Sequence, residues 1–102
     1  MIFKNTPTLD LHGMDREITK VLVKEFIYDN YRMKNQKVVI IHGKGTGILK
    51  KTVHEVLKRD RLVEKFYLDF FNIGSTVVTI KKNWLTSSMV YVIIHGINQR
   101  GR

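Results

Sequence analysis

The chain has 102 residues, enough for one hydrophobic core between two packed layers and too few for two cores. It contains no cysteine, which excludes a disulfide framework and a thiolate zinc site. Its 43% hydrophobic residues and single proline exclude a disordered polymer, and 18 Lys and Arg against 9 Asp and Glu leave a net charge of +9 that attracts polyanions.

In chain order, "PTLDLHG" (Pro7 to Gly13) alternates briefly and closes on glycine, as a short strand and turn should. Asp15 is the expected N-cap of a first helix. Ile18, Val21, Leu22, Phe26 and Tyr28 fall within one broad arc of that helix, and Lys20 and Lys24 lie opposite. The helix is expected to fade near "RMKNQ". "KVVIIHG" is a continuous β-branched run too short for a helix, which suits a buried inner strand.

"GKGTG" leads into a second helix over about Ile48 to Arg59. Leu49, Val53, Val56 and Leu57 form its apolar stripe, and Lys50, Lys51, His54 and Lys58 are expected on the outer side. In "VEKFYLDFF", Phe66, Leu68 and Phe70 share one face and Lys65, Tyr67 and Asp69 the other. "NIG" is then expected to turn into a last strand, "STVVTIKK". The order β-α-β-α-β-β predicts a two-layer α/β sandwich with a mixed four-stranded sheet. That unit is expected to occupy residues 1–82. Residues 83–102, with an apolar run from Met89 to Ile94, form a C-terminal extension open to two readings, a fifth edge strand or a poorly ordered tail.

Three of the four histidines precede glycine: His12, His42 and His95. The segment around His42, "IIHGKGTG", says most. A buried strand delivers His42 to its C-terminal end, where open α/β sheets tend to place ligands. Gly43, Gly45 and Gly47 let the backbone turn and approach a ligand, and the next helix aims its positive end at the same space. Lys44 and Thr46 add a charge and a hydroxyl. These are the parts of a phosphate site, although the spacing is not that of a nucleotide P-loop. Lys50, Lys51 and Lys58 extend a basic track for a phosphodiester backbone; the alternative is a merely solvated face.

Asp10 and His12, two residues apart, share a face if both lie in the strand. Either the carboxylate orients the imidazole and tunes its proton, or Asp10 caps a turn and His12 meets a strand-end carbonyl. His54 is expected at the surface. His95, with no glycine loop and no helix after it, is read as inert.

"LDLHG", "IIHGKGTGILKKTVHEVLK" and "GSTVVTIK" together resemble the Smr (small MutS-related) domain family over about Leu9 to Lys82. The resemblance implies a fold similar to the C-terminal domain of translation initiation factor three. It also implies nucleic-acid binding and endonuclease activity: nicking or junction cleavage of DNA, or cleavage of mRNA at stalled or collided ribosomes. A non-catalytic nucleic-acid or ribosome-binding module is the alternative.

Carried over residue by residue, the family motifs mark Asp10, His12 and His42 as catalytic. They mark the loop residues Gly43, Lys44, Gly45, Thr46 and Gly47 as binding phosphate, and the basic track of Lys50, Lys51 and Lys58 is expected to extend that contact. Histidine at position 12, where other members have arginine, goes with RNA cleavage. Many members have arginine where this chain has Lys50, which cannot form the same bidentate fork. The glycine-rich turn before the last strand is thinned to "NIGST".

Cleavage of RNA needs no metal, since its 2′-hydroxyl can attack; cleavage of DNA admits Mg or Mn near Asp10. The expected partners are DNA or RNA and the ribosome, in a cytoplasmic setting without a membrane. The expected state is a monomer or one part of a larger MutS-like protein. No metal site of the protein's own is expected.

Overall fold

The computed structural model describes residues 5–82. The expectations for residues 83–102, including the inert His95, lie outside the described residues. Six elements follow one another: β1 (Thr8–Asp10), α1 (Arg16–Arg32), β2 (Lys37–Ile41), α2 (Ile48–Arg59), β3 (Val63–Asp69) and β4 (Asn72–Ile80). The sheet runs in the order β1-β2-β4-β3. β1 and β2 are parallel, as the α1 crossover requires, and the pairs β2–β4 and β3–β4 are antiparallel. The expected two-layer sandwich with a mixed four-stranded sheet is what forms.

β2 and β4 are central, which explains their β-branched, apolar sequences. Leu11, Val38, Ile40, Val78 and Ile80 from the sheet side meet Val23 and Ile27 of α1 and Val53 and Leu57 of α2 in one core. Leu49 and Val56 pack at its margin, so the stripe expected of α2 is the one used.

Helix α1 begins where expected: Asp15 has extended backbone angles and its carboxylate accepts from the Ile18 N–H. Its buried face is not the expected one. Ile18, Val21 and Tyr28 are exposed, and the residues turned inward are Thr19, Val23, Ile27 and Asn30, with Leu22 and Phe26 beside them. The true stripe is offset by about a third of a turn from the expected one. Two polar residues concealed it. Asn30 is tolerated inside because its amide donates to the Phe26 carbonyl, 2.8 Å, and accepts from the Asn35 side chain, 2.8 Å. That pair also closes the helix end, where Lys34 turns with φ 64°.

The hairpin differs too. Its turn is Phe70-Phe71 rather than "NIG", which already belongs to β4 and begins with Asn72 opposite Asp69. Phe70 therefore leaves the apolar face assigned to it and stands in solvent. The Asp69 carboxylate accepts from the Phe71 N–H, 2.9 Å, and so supplies the turn chemistry that glycine supplies elsewhere.

The rotated α1 face gives a direct contrast. Ile27→Ala, at a site with 0% exposure, is expected to lower the unfolding free energy in urea by about 2–5 kcal/mol. Ile18→Ala, at 50% exposure, is expected to change it by no more than about 0.5 kcal/mol. Equal losses would restore the original face.

Candidate nucleic-acid interface

The end of β2 and the start of β4 meet at a single carbonyl. The backbone N–H groups of His42 and Gly43 both donate to the Gly74 carbonyl, each at 2.9 Å. Gly43 takes φ 89°, and a Cβ there would lie 3.3 Å from the Cβ of His12. A Cβ on Gly74 would lie 3.2 Å from Lys44 Cγ and 3.3 Å from the Gly43 carbonyl carbon. Glycine at 43 and 74 is thus what lets the loop lie against both His12 and β4.

The loop continues to Gly47, which caps α2 with φ 88° and no side-chain bond. The Thr46 hydroxyl takes up the Ile48 N–H at 3.3 Å. The first turn of α2 has no acidic residue, and its third position is Lys50. A cation beside the positive end of a helix costs about 0.3–1 kcal/mol within the protein, and an external anion would relieve that cost.

Between the two histidine-glycine motifs lies an open cavity of about 460 Å³. His12, Gly13, Met14 and Arg16 line one side, and His42 through Lys50 line the other. The structure therefore joins His12, His42, Lys44, Thr46 and Lys50 with the three loop glycines. Lys51 and Lys58 lie outside this lining; Lys58 sits in the last turn of α2, where it complements the helix dipole. Arg16 was missed. It opens α1 directly after the "LDLHG" turn, and that position was the signal that could have found it. A second cavity of about 270 Å³ between α1 and α2 sets Lys20, Lys24 and Arg59 against Glu55 and Asp60, a lining whose basic charge is mostly offset and which has no glycine loop.

Asp10 and His12 do not share a strand, because β1 stops at Asp10. The chain folds back instead, and one carboxylate oxygen receives both the His12 backbone N–H, 3.2 Å, and its ring Nδ1, 2.9 Å. The same oxygen caps the turn and orients the imidazole, so the His12 ring meets the Asp10 carboxylate rather than the strand-end carbonyl of the alternative. The hydrogen bond and charge of Asp10 raise the His12 pKa above its ordinary 6.5. The bonds from His12 lower that of Asp10 below 3.8. Since Nδ1 carries the proton shared with Asp10, Nε2 is left to bind or release the second one. The stabilisation from the raised His12 is complete below about pH 6.5 and is lost as pH rises through the elevated folded value. That from Asp10 is lost as pH falls through its lowered value.

His42 is only 4% exposed, and both its ring nitrogens are engaged. Nδ1 lies 3.0 Å from the Gly43 carbonyl and Nε2 lies 2.8 Å from the Thr76 hydroxyl. His54 Nε2 lies 2.8 Å from the same hydroxyl. A carbonyl can only accept, so the proton of neutral His42 is on Nδ1, and Thr76 must donate to its Nε2. The Thr76 oxygen then accepts from the Nε2–H of His54. The directed chain runs from His54 through Thr76 and His42 to the backbone of the loop.

This overturns the surface position expected of His54. Its ring is half-buried, 4.9 Å from Phe66 and 5.9 Å from His42 between centroids. A polar residue at a core-facing helical position cannot be told from a surface one until its partner, Thr76 on β4, is known. Burial lowers the pKa of both imidazoles, with Lys50 adding to the effect. Their neutral state costs stability once the unfolded chain begins to take up protons below about pH 6.5.

Among the described residues no group of three or more His, Cys, Asp or Glu side chains could hold a metal ion. One carboxylate already committed to an imidazole and a backbone N–H is a poor fit for a resident divalent ion. Nor, among the described residues, is any helix long and apolar enough to cross a membrane.

The class defined here is a two-layer α/β sandwich whose basic glycine loop faces an Asp–His pair across an open cavity. The Smr domain model matches residues 9–81, and the chain belongs to the Smr domain family. Among its relatives is an "Endonuclease MutS2" of Clostridium perfringens, 35% identical over 74 residues, 72% of this chain and 9% of that protein. Another of the same name, from Geobacillus sp., is 44% identical over 72 residues, 71% of this chain and 9% of that protein. The chain thus spans a small fraction of the length of these relatives. The Smr domain of Thermus thermophilus MutS2 superposes with a TM-score of 0.71 at 28% identity, covering 74% of this chain and 99% of that one. YdaL, a stand-alone small MutS-related protein from Escherichia coli, has the same fold, with a TM-score of 0.72 at 23% identity over 76% of this chain and 66% of that one.

Two measurements test this geometry. Asp10→Asn is expected to bring the His12 titration, followed by NMR of its ring protons, down toward the ordinary imidazole value; an unmoved midpoint would separate the two groups. Thr76→Val strands two buried nitrogens and is expected to cost about 1–3 kcal/mol in urea unfolding. Thr79→Val removes a buried hydroxyl with no partner among the described residues and is expected to be neutral or stabilising. Reversal of that order would refute the hydrogen-bonded chain.

Proposed function

We propose that the cavity between His12 and the glycine loop binds the phosphodiester backbone of nucleic acid, and that the domain cleaves RNA there as an endonuclease. The observation that carries this reading is the pairing of Asp10 with His12 at the rim of a loop that offers cations and a helix N-terminus. The family and the endonuclease named in the MutS2 relatives support it.

Lys44, Lys50 and Arg16 would hold the phosphate oxygens and stabilise the added negative charge of the transition state. His12 Nε2 would take the proton from the ribose 2′-hydroxyl, and the 2′-oxygen would attack phosphorus. The bond to the 5′-oxygen would then break, leaving a cyclic phosphate on one product and a 5′-hydroxyl on the other, with the leaving oxygen protonated from solvent. The carboxylate of Asp10 would stabilise the imidazolium that forms. This route asks for no resident metal. His42, with both nitrogens bonded internally, would act by fixing the Gly43 backbone rather than by moving protons. That same engagement favours, as the second reading, a module that binds nucleic acid without cutting it, since a second free imidazole is not supplied at the loop.

Single-turnover cleavage of end-labelled single-stranded RNA, beside nicking of supercoiled plasmid with and without magnesium, decides between these readings. His12→Ala is expected to lower the RNA cleavage rate by about 10²–10⁴-fold. The parent rate is expected to rise with pH through a midpoint above 6.5, which Asp10→Asn shifts downward. Equal cleavage by parent and His12→Ala would sink the enzyme reading. Salt-sensitive binding without cleavage would establish the module, and metal-dependent plasmid nicking alone would move the substrate to DNA.

A further inference from the structure

The two residues at the tip of the β3–β4 hairpin are both phenylalanine, where tight turns ordinarily carry small polar residues. Phe70 is 87% and Phe71 88% exposed. Their rings contact each other edge to face, with centroids 5.4 Å apart, and neither belongs to the core or its margin. The exposed Ile73 extends the apolar patch. The tip is anchored from both flanks: Asp69 accepts from the Phe71 N–H, and Asn72 accepts from the Gly74 N–H at 3.0 Å. Nothing about the fold requires aromatic rings there.

The position of the tip gives it meaning. From Phe71 the chain enters β4 through Asn72 and Ile73 and reaches Gly74, whose carbonyl holds His42 and Gly43 and where an added Cβ would lie 3.2 Å from Lys44 Cγ. Three residues of extended chain, about 10 Å, therefore separate Phe71 from the point where β4 touches the glycine loop. The aromatic tip thus stands at the head of β4, and Gly74 of that strand holds the start of the basic glycine loop.

We infer that Phe70 and Phe71 form a base-stacking platform, and that the ligand of the adjoining cavity is a single strand with unpaired bases. This rests on the reading of the cavity as a phosphodiester site. An unpaired base offers a π-face to an aromatic ring whatever its sequence, while its backbone is taken up by neighbouring cations. A duplex buries those faces in its own stack and presents the tip with charged phosphates and sugar. A protein partner is the weaker match, because three side chains fall well short of the roughly 800 Å² that each side of a standard interface buries.

The test is fluorescence anisotropy with a labelled single-stranded RNA and a blunt RNA duplex of the same length. Three chains are compared: the parent, Phe70→Ser/Phe71→Ser, and Lys44→Glu. Both replaced rings are outside the core, so the double variant is expected to fold as the parent does. The parent is expected to bind the single strand more tightly than the duplex. The double serine variant is expected to lose about tenfold or more on the single strand and to change by less than about twofold on the duplex. Phe70→Tyr/Phe71→Tyr is expected to retain the single-strand affinity. If the serine variant binds both ligands like the parent while Lys44→Glu weakens both, the platform is overturned, the cavity reading stands, and the tip is left to a protein. Equal loss on strand and duplex would overturn the preference for unpaired bases. If neither the parent nor Lys44→Glu binds either ligand, the cavity reading itself fails, and the platform with it.

Discussion

Two N–H groups sharing the Gly74 carbonyl hold the candidate site together. Through that junction β4 fixes the direction in which the chain leaves β2, and Gly43, at φ 89°, is pressed against His12. A side chain at 43 would meet His12, and one at 74 would meet the loop and Lys44. Bare Cα atoms at 43 and 74 therefore allow the loop to lie close to both His12, thirty residues away, and β4. Everything proposed of the cavity depends on this close approach.

Beneath the junction the polar chain of His54, Thr76 and His42 does a second job. It lies in a region that could have been apolar, and it is acceptable there because each donor meets an acceptor. Its outcome is a neutral His42 whose Nδ1–H steadies the Gly43 carbonyl. His12, by contrast, is exposed and bonded at one nitrogen to a carboxylate. The two histidine-glycine motifs look alike in sequence, yet one imidazole stands exposed at the cavity and the other is built into the wall. Their surroundings set the difference: burial favours the uncharged ring, and an exposed carboxylate neighbour favours the charged one.

The electrostatic pattern follows the same division. Cations that line the cavity belong to the loop, to the first turn of α2 and to the first turn of α1. Lys58 and Arg59 close the last turn of α2 and are accounted for by its dipole. The net charge of +9 is thus not evenly informative. Lys44, Lys50 and Arg16 line the cavity, and in the proposed reading the aromatic hairpin tip would extend that surface with apolar contact.

Much of this was legible in the residues alone. A continuous β-branched run marked β2 as an inner strand, the apolar stripe of α2 was the one buried, and glycines at alternate positions marked the loop. Such features are local, because strand, helix and turn preferences act over a few residues. Four features were not legible: the inward face of α1, the turn at Phe70-Phe71, the burial of His54 and the membership of Arg16. Asn30 and His54 read as surface residues until Asn35 and Thr76 supply their hydrogen bonds. Phe70 reads as core until Asp69 supplies the turn. In these three cases the deciding partner is polar: Asn35 and Asp69 act across a few residues of a turn, and Thr76 comes from a distant strand. Local sequence determines which elements form and where glycines and cations gather; only the tertiary structure, through contacts such as the pairing of donors with acceptors, decides which side chains face the cavity.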